Sequence, residues 1–282
     1  MDRDGWVDEL LDRLDRIARA LEGLGTRPPS RDGPPAEGRA FVWAGAEGFR
    51  PVQRPAAVDP ELLTGIDRQR RCLYADVERF LAGRPAHDVL LWGERGTGKS
   101  SLVRSLLTAF GQEGPVLLEV PETRLPDLPA VLERLAADPR RWVLYLDDLG
   151  FRGPEDHYRE LKVLLEGGLE ARPGNTLVVA TSNRRHLVPE PFSAGEEIHP
   201  EEAVAEAVSL ADRFGLSLGF YSFDEPTYLE AVRRHLASLG VAAPPAGWEE
   251  AARRWAMARG IRSGRSAWQA AREIAGATPL PA

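Results

Sequence analysis

The sequence predicts an α/β protein in which a mainly parallel sheet is covered by helices and followed by a smaller helical region. Between about residues 56 and 224, short apolar runs alternate with longer amphipathic stretches, as in sheets whose parallel strands are joined by crossover helices. After residue 224 no strand pattern recurs, and three amphipathic segments are separated by glycine and proline. The candidate strands are DVLLW (88–92), VLLEV (116–120), WVLYLDD (142–148), TLVVATSN (176–183) and LGFYSF (218–223).

Four regions follow from these patterns. Residues 1–24 carry apolar side chains at a three-four spacing, which predicts an N-terminal amphipathic helix. The apolar seam is short for a coiled coil, so docking on the chain or on a partner helix is favoured over self-association. Residues 25–55, rich in proline, glycine and charge, are predicted as linker and lead-in. Residues 56–224 form the α/β core and residues 225–282 a helical lid.

Composition narrows the functional classes. The 282 residues are 43% hydrophobic with a net charge of -7, which argues against a generally basic nucleic-acid surface. No stretch is apolar enough to span a membrane, and acids run through the N-terminus, unlike a signal peptide. We therefore expect a cytoplasmic protein without a membrane partner. One cysteine, Cys72, excludes an internal disulfide and a cysteine-rich metal site.

The segment GERGTGKS between the first strand and a helix predicts a phosphate-binding loop. It matches the pattern G-x-x-x-x-G-K-[ST] from Gly93 to Ser100 without a mismatch. Glycines let backbone N–H groups converge on a phosphate, Lys99 would reach the outer phosphates, and Ser100 would bind Mg²⁺. An ordinary glycine-rich turn is the alternative, which the strand and helix on either side disfavour. The predicted nucleotide-binding residues of the loop are Gly93, Glu94, Arg95, Gly96, Thr97, Gly98, Lys99, Ser100 and Ser101.

Two adjacent carboxylates provide a candidate metal partner. Asp147 and Asp148 end a buried strand, where open parallel sheets place their ligands. Asp147 would hold Mg²⁺ opposite Ser100. An exposed strand terminus is the other interpretation, and it is weakened by the phosphate loop in the same chain.

Taken in order, these segments resemble the AAA+ ATPases of the P-loop NTPase superfamily. The resemblance implies that Asn183, in ATSNRRHL, orients the attacking water, and that Arg213, in LADRFG, acts on a neighbouring subunit's nucleotide. It implies that Arg265, in RSGRSAWQ, turns from the lid toward the outermost phosphate. Gly65 and Ile66 would line the base pocket.

More specifically, residues 41–275, approximately, resemble an uncharacterised family of predicted bacterial AAA+ ATPases. It implies a three-layer α/β/α core with a five-stranded parallel sheet in the order 5-1-4-3-2, ATP and Mg²⁺ as ligands, and a homo-oligomer. In two places the sequence departs from the pattern. Asp148 stands where AAA+ proteins usually carry a glutamate as the base, which predicts slow turnover, and Ala207 and Ala211 replace a lysine and a serine expected near Arg213.

The leading hypothesis is ATP hydrolysis between subunits of a ring or open oligomer, with Lys99, Asp148, Asn183, Arg213 and Arg265 as the catalytic residues and an unknown protein client. A second hypothesis is a binding module gated by ATP, with little hydrolysis. A third, less favoured, is a nucleic-acid loader, suggested by the modestly basic lid. A small-molecule kinase is disfavoured because no domain remains for an acceptor substrate.

Overall fold

The computed structural model describes residues 33–150, 161, 164, 165, 172–183, 212–241 and 243–277. The predicted helix at 1–24 lies outside them. Within the described residues the chain forms a seven-stranded sheet, with the order β2-β1-β4-β5-β6-β3-β7. Its strands are β1 (Ala40–Trp43), β2 (Phe49–Pro51), β3 (Val89–Gly93), β4 (Val116–Glu119), β5 (Trp142–Leu146), β6 (Thr176–Ser182) and β7 (Leu216–Phe220).

The α-helices flank the sheet or follow it. They are α1 (Asp67–Leu81), α2 (Lys99–Arg104), α3 (Leu106–Ala109), α4 (Leu128–Ala136), α5 (Glu225–Ser238), α6 (Trp248–Arg259) and α7 (Gly264–Ala277). Among the residues that the structure describes, none of these helices combines the length and apolar character needed to cross a bilayer.

The predicted fold class is confirmed, but the sheet is larger than predicted. The five predicted strands lie in the expected order, β7-β3-β6-β5-β4, and all of their pairings are parallel. The two additional strands, β1 and β2, form a hairpin that extends the sheet beyond β4. They come from the segment 25–55, which composition had assigned to linker and lead-in.

An aromatic cluster explains why this hairpin joins the sheet. Phe41, Trp43 and Phe49 are buried, and the rings of Phe41 and Phe49 lie 5.6 and 5.9 Å from that of Trp142. Rings at such distances contribute packing beyond the burial of their area. Strands of four and three residues beside proline and glycine give too short a pattern to be predicted from periodicity.

Both faces of the sheet are covered by apolar side chains. Along β3, Leu90 belongs to the cluster that contains α4, whereas Val89 and Leu91 belong to the cluster that contains α1 and α2. Successive strand residues point to opposite faces, so this alternation shows a sheet between two layers. Strands that are buried on both faces explain the continuous apolar runs in the sequence.

The lid consists of α5, α6 and α7, close to the three helical segments that the sequence predicted after residue 224. It has an apolar cluster of its own, in which Tyr228, Val232 and Ala271 are fully buried. The Asp224 side chain accepts a hydrogen bond from Thr227 N at 2.9 Å and thereby caps α5. The lid therefore begins directly after the chain leaves β7.

Candidate functional site

The candidate site lies at the edge of the sheet where β3, β5 and β6 end. β5 pairs with β6 so that Leu146 lies opposite Ala180, and β3 pairs with β6 so that Trp92 lies opposite Ser182. The residues that follow these pairs are therefore neighbours in space. Because parallel strands end at the same edge, the phosphate loop and the polar residues after β5 and β6 converge there.

Lys99 is the centre of this arrangement. Its side chain is buried, with 6% of the residue exposed. Its ammonium donates hydrogen bonds of 2.7 Å to the carbonyl oxygens of Gly93 and Glu94 and one of 3.1 Å to Asn183 Oδ1. Burial lowers the pKa of Lys99 to about 8, and the charge of Asp148 opposes that effect. The cation is thus held at the mouth of the loop by neutral oxygens.

Asp147 faces the loop across the end of the sheet. Its Oδ1 accepts hydrogen bonds from Ser100 Oγ at 2.9 Å and from Thr181 Oγ1 at 2.6 Å. Burial favours the protonated form, but the hydrogen bonds from Thr181 and Ser100 prevail and lower the pKa of Asp147. The carboxylate is therefore ionised at neutral pH, as a metal ligand must be.

Asp148 has an unusual backbone. Its φ is +55°, the single left-handed value among the described residues other than glycine, and such conformations cluster at functional sites. Thr181 Oγ1 accepts a hydrogen bond of 2.8 Å from its N–H. Asn183 Nδ2 donates to its carboxylate, and Arg95 lies 3.9 Å from the other carboxylate oxygen. Asn183 therefore links Lys99 to Asp148.

The lid contacts the phosphate loop directly. Arg265 N, in the first turn of α7, donates a 3.0 Å hydrogen bond to Gly96 O. A Cβ on Gly96 would come within 3.0 Å of Arg265 Cβ and of Ser263 Oγ, so this approach requires glycine. Loop and lid are in contact through their backbones, which places Arg265 beside the loop.

One cavity joins these elements. Its volume is about 610 Å³, within the usual range for small-molecule sites. Loop residues 95–101, Asp147, Asp148, Asn183 and Arg265 line one part of it. Residues before α1, including Ile66, and the inner faces of α5 and α7 line the rest.

Some of the predicted site residues do not line this cavity. Gly65 instead packs against the lid, where a Cβ would come within 2.5 Å of Thr227 Cγ2. At Gly93, a Cβ would come within 2.0 Å of Phe220 O, so this residue packs against β7. The Glu94 side chain accepts a hydrogen bond from Ser222 Oγ. Gly93 and Glu94 still contribute to the site through their carbonyls on Lys99.

Arg213 lies near the amino ends of the strands, away from the edge that carries the phosphate loop. It precedes β7, whose first residue, Leu216, lies opposite Val89 at the start of β3. The phosphate loop begins at the other end of β3, about 13 Å away at roughly 3.3 Å per strand residue. Arg213 therefore does not reach the cavity of its own chain.

Several residues of the site were not predicted from the sequence. Thr181 holds both Asp147 and Asp148, and its signal was its position two residues before Asn183 in ATSN. Thr64 and His235 line the cavity, but nothing in their sequence context distinguishes them from other polar residues.

The chain also matches a known protein family. Residues 36–278 match the family described as "Protein of unknown function (DUF815)". The chain belongs to the DUF815 family. This confirms the resemblance to an uncharacterised family, over slightly more of the chain than expected. No curated protein matches the chain.

Solved structures show the fold of this DUF815 protein. A RuvB mutant from Thermotoga maritima has 17% identity and a TM-score of 0.52, over 77% of this chain and 67% of that one. The ORC1 protein of Aeropyrum pernix in complex with DNA has 15% identity and a TM-score of 0.52, over 74% of this chain and 59% of that one. At these identities the likeness concerns the fold alone, which is that of the AAA+ P-loop proteins.

Replacing Thr181 by valine should destabilise this DUF815 protein and displace both carboxylates. The change removes the hydroxyl bound to Asp147 and leaves the N–H of Asp148 without its acceptor. We expect the free energy of unfolding to fall by about 1–3 kcal/mol, measured by urea denaturation.

Two variants serve as controls for the Thr181 prediction. Thr181→Ser keeps the hydroxyl and should recover most of the loss. Thr176→Val, on the same strand, removes a buried hydroxyl whose contact with Asn175 Oδ1 is 3.4 Å long, and it should cost less. Equal losses for the two valine variants would show that the hydroxyl of Thr181 has no special role.

Proposed function

We propose that this DUF815 protein binds ATP with Mg²⁺ and hydrolyses it, and that a second copy of the chain completes the site. One observation carries the proposal: Lys99, Asn183 and Asp148 form a hydrogen-bonded chain beside the Ser100–Asp147 pair, at the edge of a single cavity. A cation, a polar amide and a carboxylate in that order supply the groups needed to bind an outer phosphate and a water molecule.

The residues present fit Mg²⁺. Ser100 Oγ and Asp147 Oδ1 lie 2.9 Å apart and belong to side chains that offer oxygen ligands, which Mg²⁺ prefers. When bound, the ion neutralises charge on the phosphates. Thr181 keeps Asp147 ionised and fixed toward Ser100.

Asp148 and Asn183 are proposed to act on the attacking water. The Asp148 carboxylate would accept the water's proton, and the Asn183 amide would orient the water beside the outer phosphate. Lys99 would exchange its bonds to Gly93 O and Glu94 O for bonds to phosphate oxygens, since these carbonyls now satisfy its donors. Arg265, placed beside Gly96 by the lid, would add a second cation.

A partner copy follows from the position of Arg213. The nucleotide site of the same chain lies at the carboxyl ends of the strands, whereas Arg213 lies near their amino ends. A neighbouring subunit could place its nucleotide site against this second edge of the sheet. An arginine supplied in this way can accelerate hydrolysis by roughly 10³- to 10⁵-fold. We therefore propose a homo-oligomer in which nucleotide state, transmitted through the loop and lid contact, controls the remodelling or docking of a protein client.

A binding module gated by ATP is the second candidate, and the geometry of Asp148 favours it. Its carboxylate already accepts a hydrogen bond from Asn183, and its backbone is held at a φ of +55°. The side chain is also one methylene shorter than glutamate. Each feature limits how freely the carboxylate can reach a water molecule, which would favour holding ATP over turning it over.

The described contacts of the lid weaken the nucleic-acid loader. Arg233 and Arg234 pair with Glu230, and Arg253 pairs with Glu225 at 2.8 Å. The hydrogen bond from Arg233 is the main reason that the pKa of Glu230 falls to about 2. Arginines that are engaged by carboxylates of their own lid are less available to a phosphate backbone.

Replacing Lys99 by alanine should abolish tight nucleotide binding. The change removes the one buried cation of the loop, and a charged hydrogen bond to phosphate is worth enough that affinity for ATP with Mg²⁺ should fall at least about tenfold. Titration calorimetry measures the change. Arg84→Ala, which removes a positive charge at an exposed position, should bind as the wild type does; unchanged binding by Lys99→Ala would refute the proposal.

Replacing Asp148 by asparagine should slow hydrolysis at least about tenfold, because an amide cannot accept the proton from water. Affinity for ATP should change little, since the metal pair is left intact. Phosphate release at saturating ATP measures the rate, with Asp67→Asn, at an exposed position of α1, as the control. A wild type that binds ATP tightly without turnover, even at high protein concentration, would favour the gated module instead.

Mixing two inactive variants should test whether Arg213 acts between subunits. Arg213→Ala keeps a complete phosphate loop, and Asp148→Asn keeps Arg213, so mixed oligomers should regain part of the phosphate release that each variant lacks alone. The rate per wild-type subunit should also fall on dilution, because the arginine is supplied by a neighbour. No recovery on mixing, together with a rate independent of concentration, would exclude the arrangement.

A further inference from the structure

The part of the cavity away from the acids has an apolar lining with two unsatisfied polar atoms. Leu62, Ile66 and Trp268 supply apolar surface there. Thr64 Oγ1 and His235 Nδ1 are buried, and neither has a hydrogen-bond partner among the described residues. Buried polar atoms are costly to leave unpaired. Two of them in one cavity therefore indicate a ligand with complementary polar atoms.

This region begins beside the phosphate loop. Ile66 Cδ1 lies 3.3 Å from the position that a Cβ on Gly98 would take. On α7, Arg265 contacts the loop and Trp268 follows three residues later, on the same side of the helix and about 4.5 Å further along its axis. A ligand whose phosphates occupy the loop would thus place its other end among these side chains.

The chemistry of His235 suits an uncharged ligand group. Burial lowers the pKa of His235 to about 4, so the ring is neutral at physiological pH and has one donor and one acceptor nitrogen. With the proton on Nε2, Nδ1 is an acceptor. The ring is held by an edge contact with Trp268, at 5.2 Å between centroids and 71° between planes.

We propose that His235 and Thr64 recognise the edge of adenine, with His235 Nδ1 accepting a hydrogen bond from the 6-amino group and Thr64 Oγ1 donating one to N1. This inference rests on the proposed binding of ATP and goes further, because it assigns the choice of base to named side chains. Guanine has a carbonyl oxygen in place of the amino group, and a histidine with its proton on Nε2 offers no donor to that oxygen at Nδ1.

Trp268 is proposed to stack on the face of the base. It is 37% exposed, one of three large hydrophobic side chains in the described chain with so much exposed surface, although it lines the cavity. Indole stacks on any purine regardless of its substituents. Trp268 therefore contributes affinity, whereas His235 and Thr64 contribute selectivity.

The test compares three ligands that differ in one part each. ATP, purine riboside triphosphate, which lacks the 6-amino group, and inorganic tripolyphosphate are titrated with Mg²⁺ into the wild type and into His235→Phe. The phenyl ring fills the space of the imidazole without its nitrogens. The wild type should bind ATP at least about tenfold more tightly than purine riboside triphosphate, and His235→Phe should bind the two equally.

Two further variants separate the roles of the three side chains. Thr64→Val should weaken ATP binding and leave tripolyphosphate binding unchanged, and it tests the inference should His235→Phe fail to fold. Trp268→Leu should weaken the binding of ATP and of purine riboside triphosphate by the same factor. Thr108→Val, at an exposed position, should behave as the wild type.

The outcomes distinguish this inference from the function on which it rests. A wild type that binds ATP and purine riboside triphosphate equally overturns the base recognition and leaves ATP binding intact. An equal loss for all three ligands in His235→Phe also overturns it, since that result indicates a distorted lid. A wild type that binds neither ATP nor tripolyphosphate overturns the proposed function, and this inference with it.

Discussion

The parallel register of β3, β5 and β6 is the constraint on which the site depends. Each of these strands is buried on both faces, so a shift by one residue would exchange the apolar side chains of the two clusters. The same register sets Asp147 beside Thr181 and brings the end of β3 to Asn183. The same strand register therefore determines both the packing of the core and the alignment of the polar side chains at the edge of the sheet.

The fold stabilises the buried ammonium of Lys99 by hydrogen bonds. An ammonium with 6% of its residue exposed loses hydration, and the loop replaces it with two carbonyl oxygens and an amide oxygen. A phosphate would replace neutral acceptors by charged ones, which strengthens the hydrogen bonds without a new cavity having to form. Asn183 transmits any such exchange to Asp148, since it contacts both.

The lid makes the other half of the cavity. Its three helices have their own apolar core, and the backbone of α7 contacts the phosphate loop at Gly96. Arg265 and Trp268 lie on one side of α7, which couples the phosphate end of the cavity to its apolar end. Phosphate and base recognition would then depend on one helix position.

The sequence by itself determined the α/β class, the five strands, the helical lid and the phosphate loop, because apolar periodicity and glycine spacing are local properties of the chain. The order of the five strands was implied by the family resemblance, and the sheet of the structure confirms it. The tertiary structure decided what depends on contacts between distant segments. It added the β1–β2 hairpin through packing on Trp142, packed Gly65 against Thr227 of the lid, and gave Thr181 hydrogen bonds to both Asp147 and Asp148. It also gathered Thr64 and His235 into one cavity, since strand register and helix docking, rather than neighbours in the chain, choose which side chains meet.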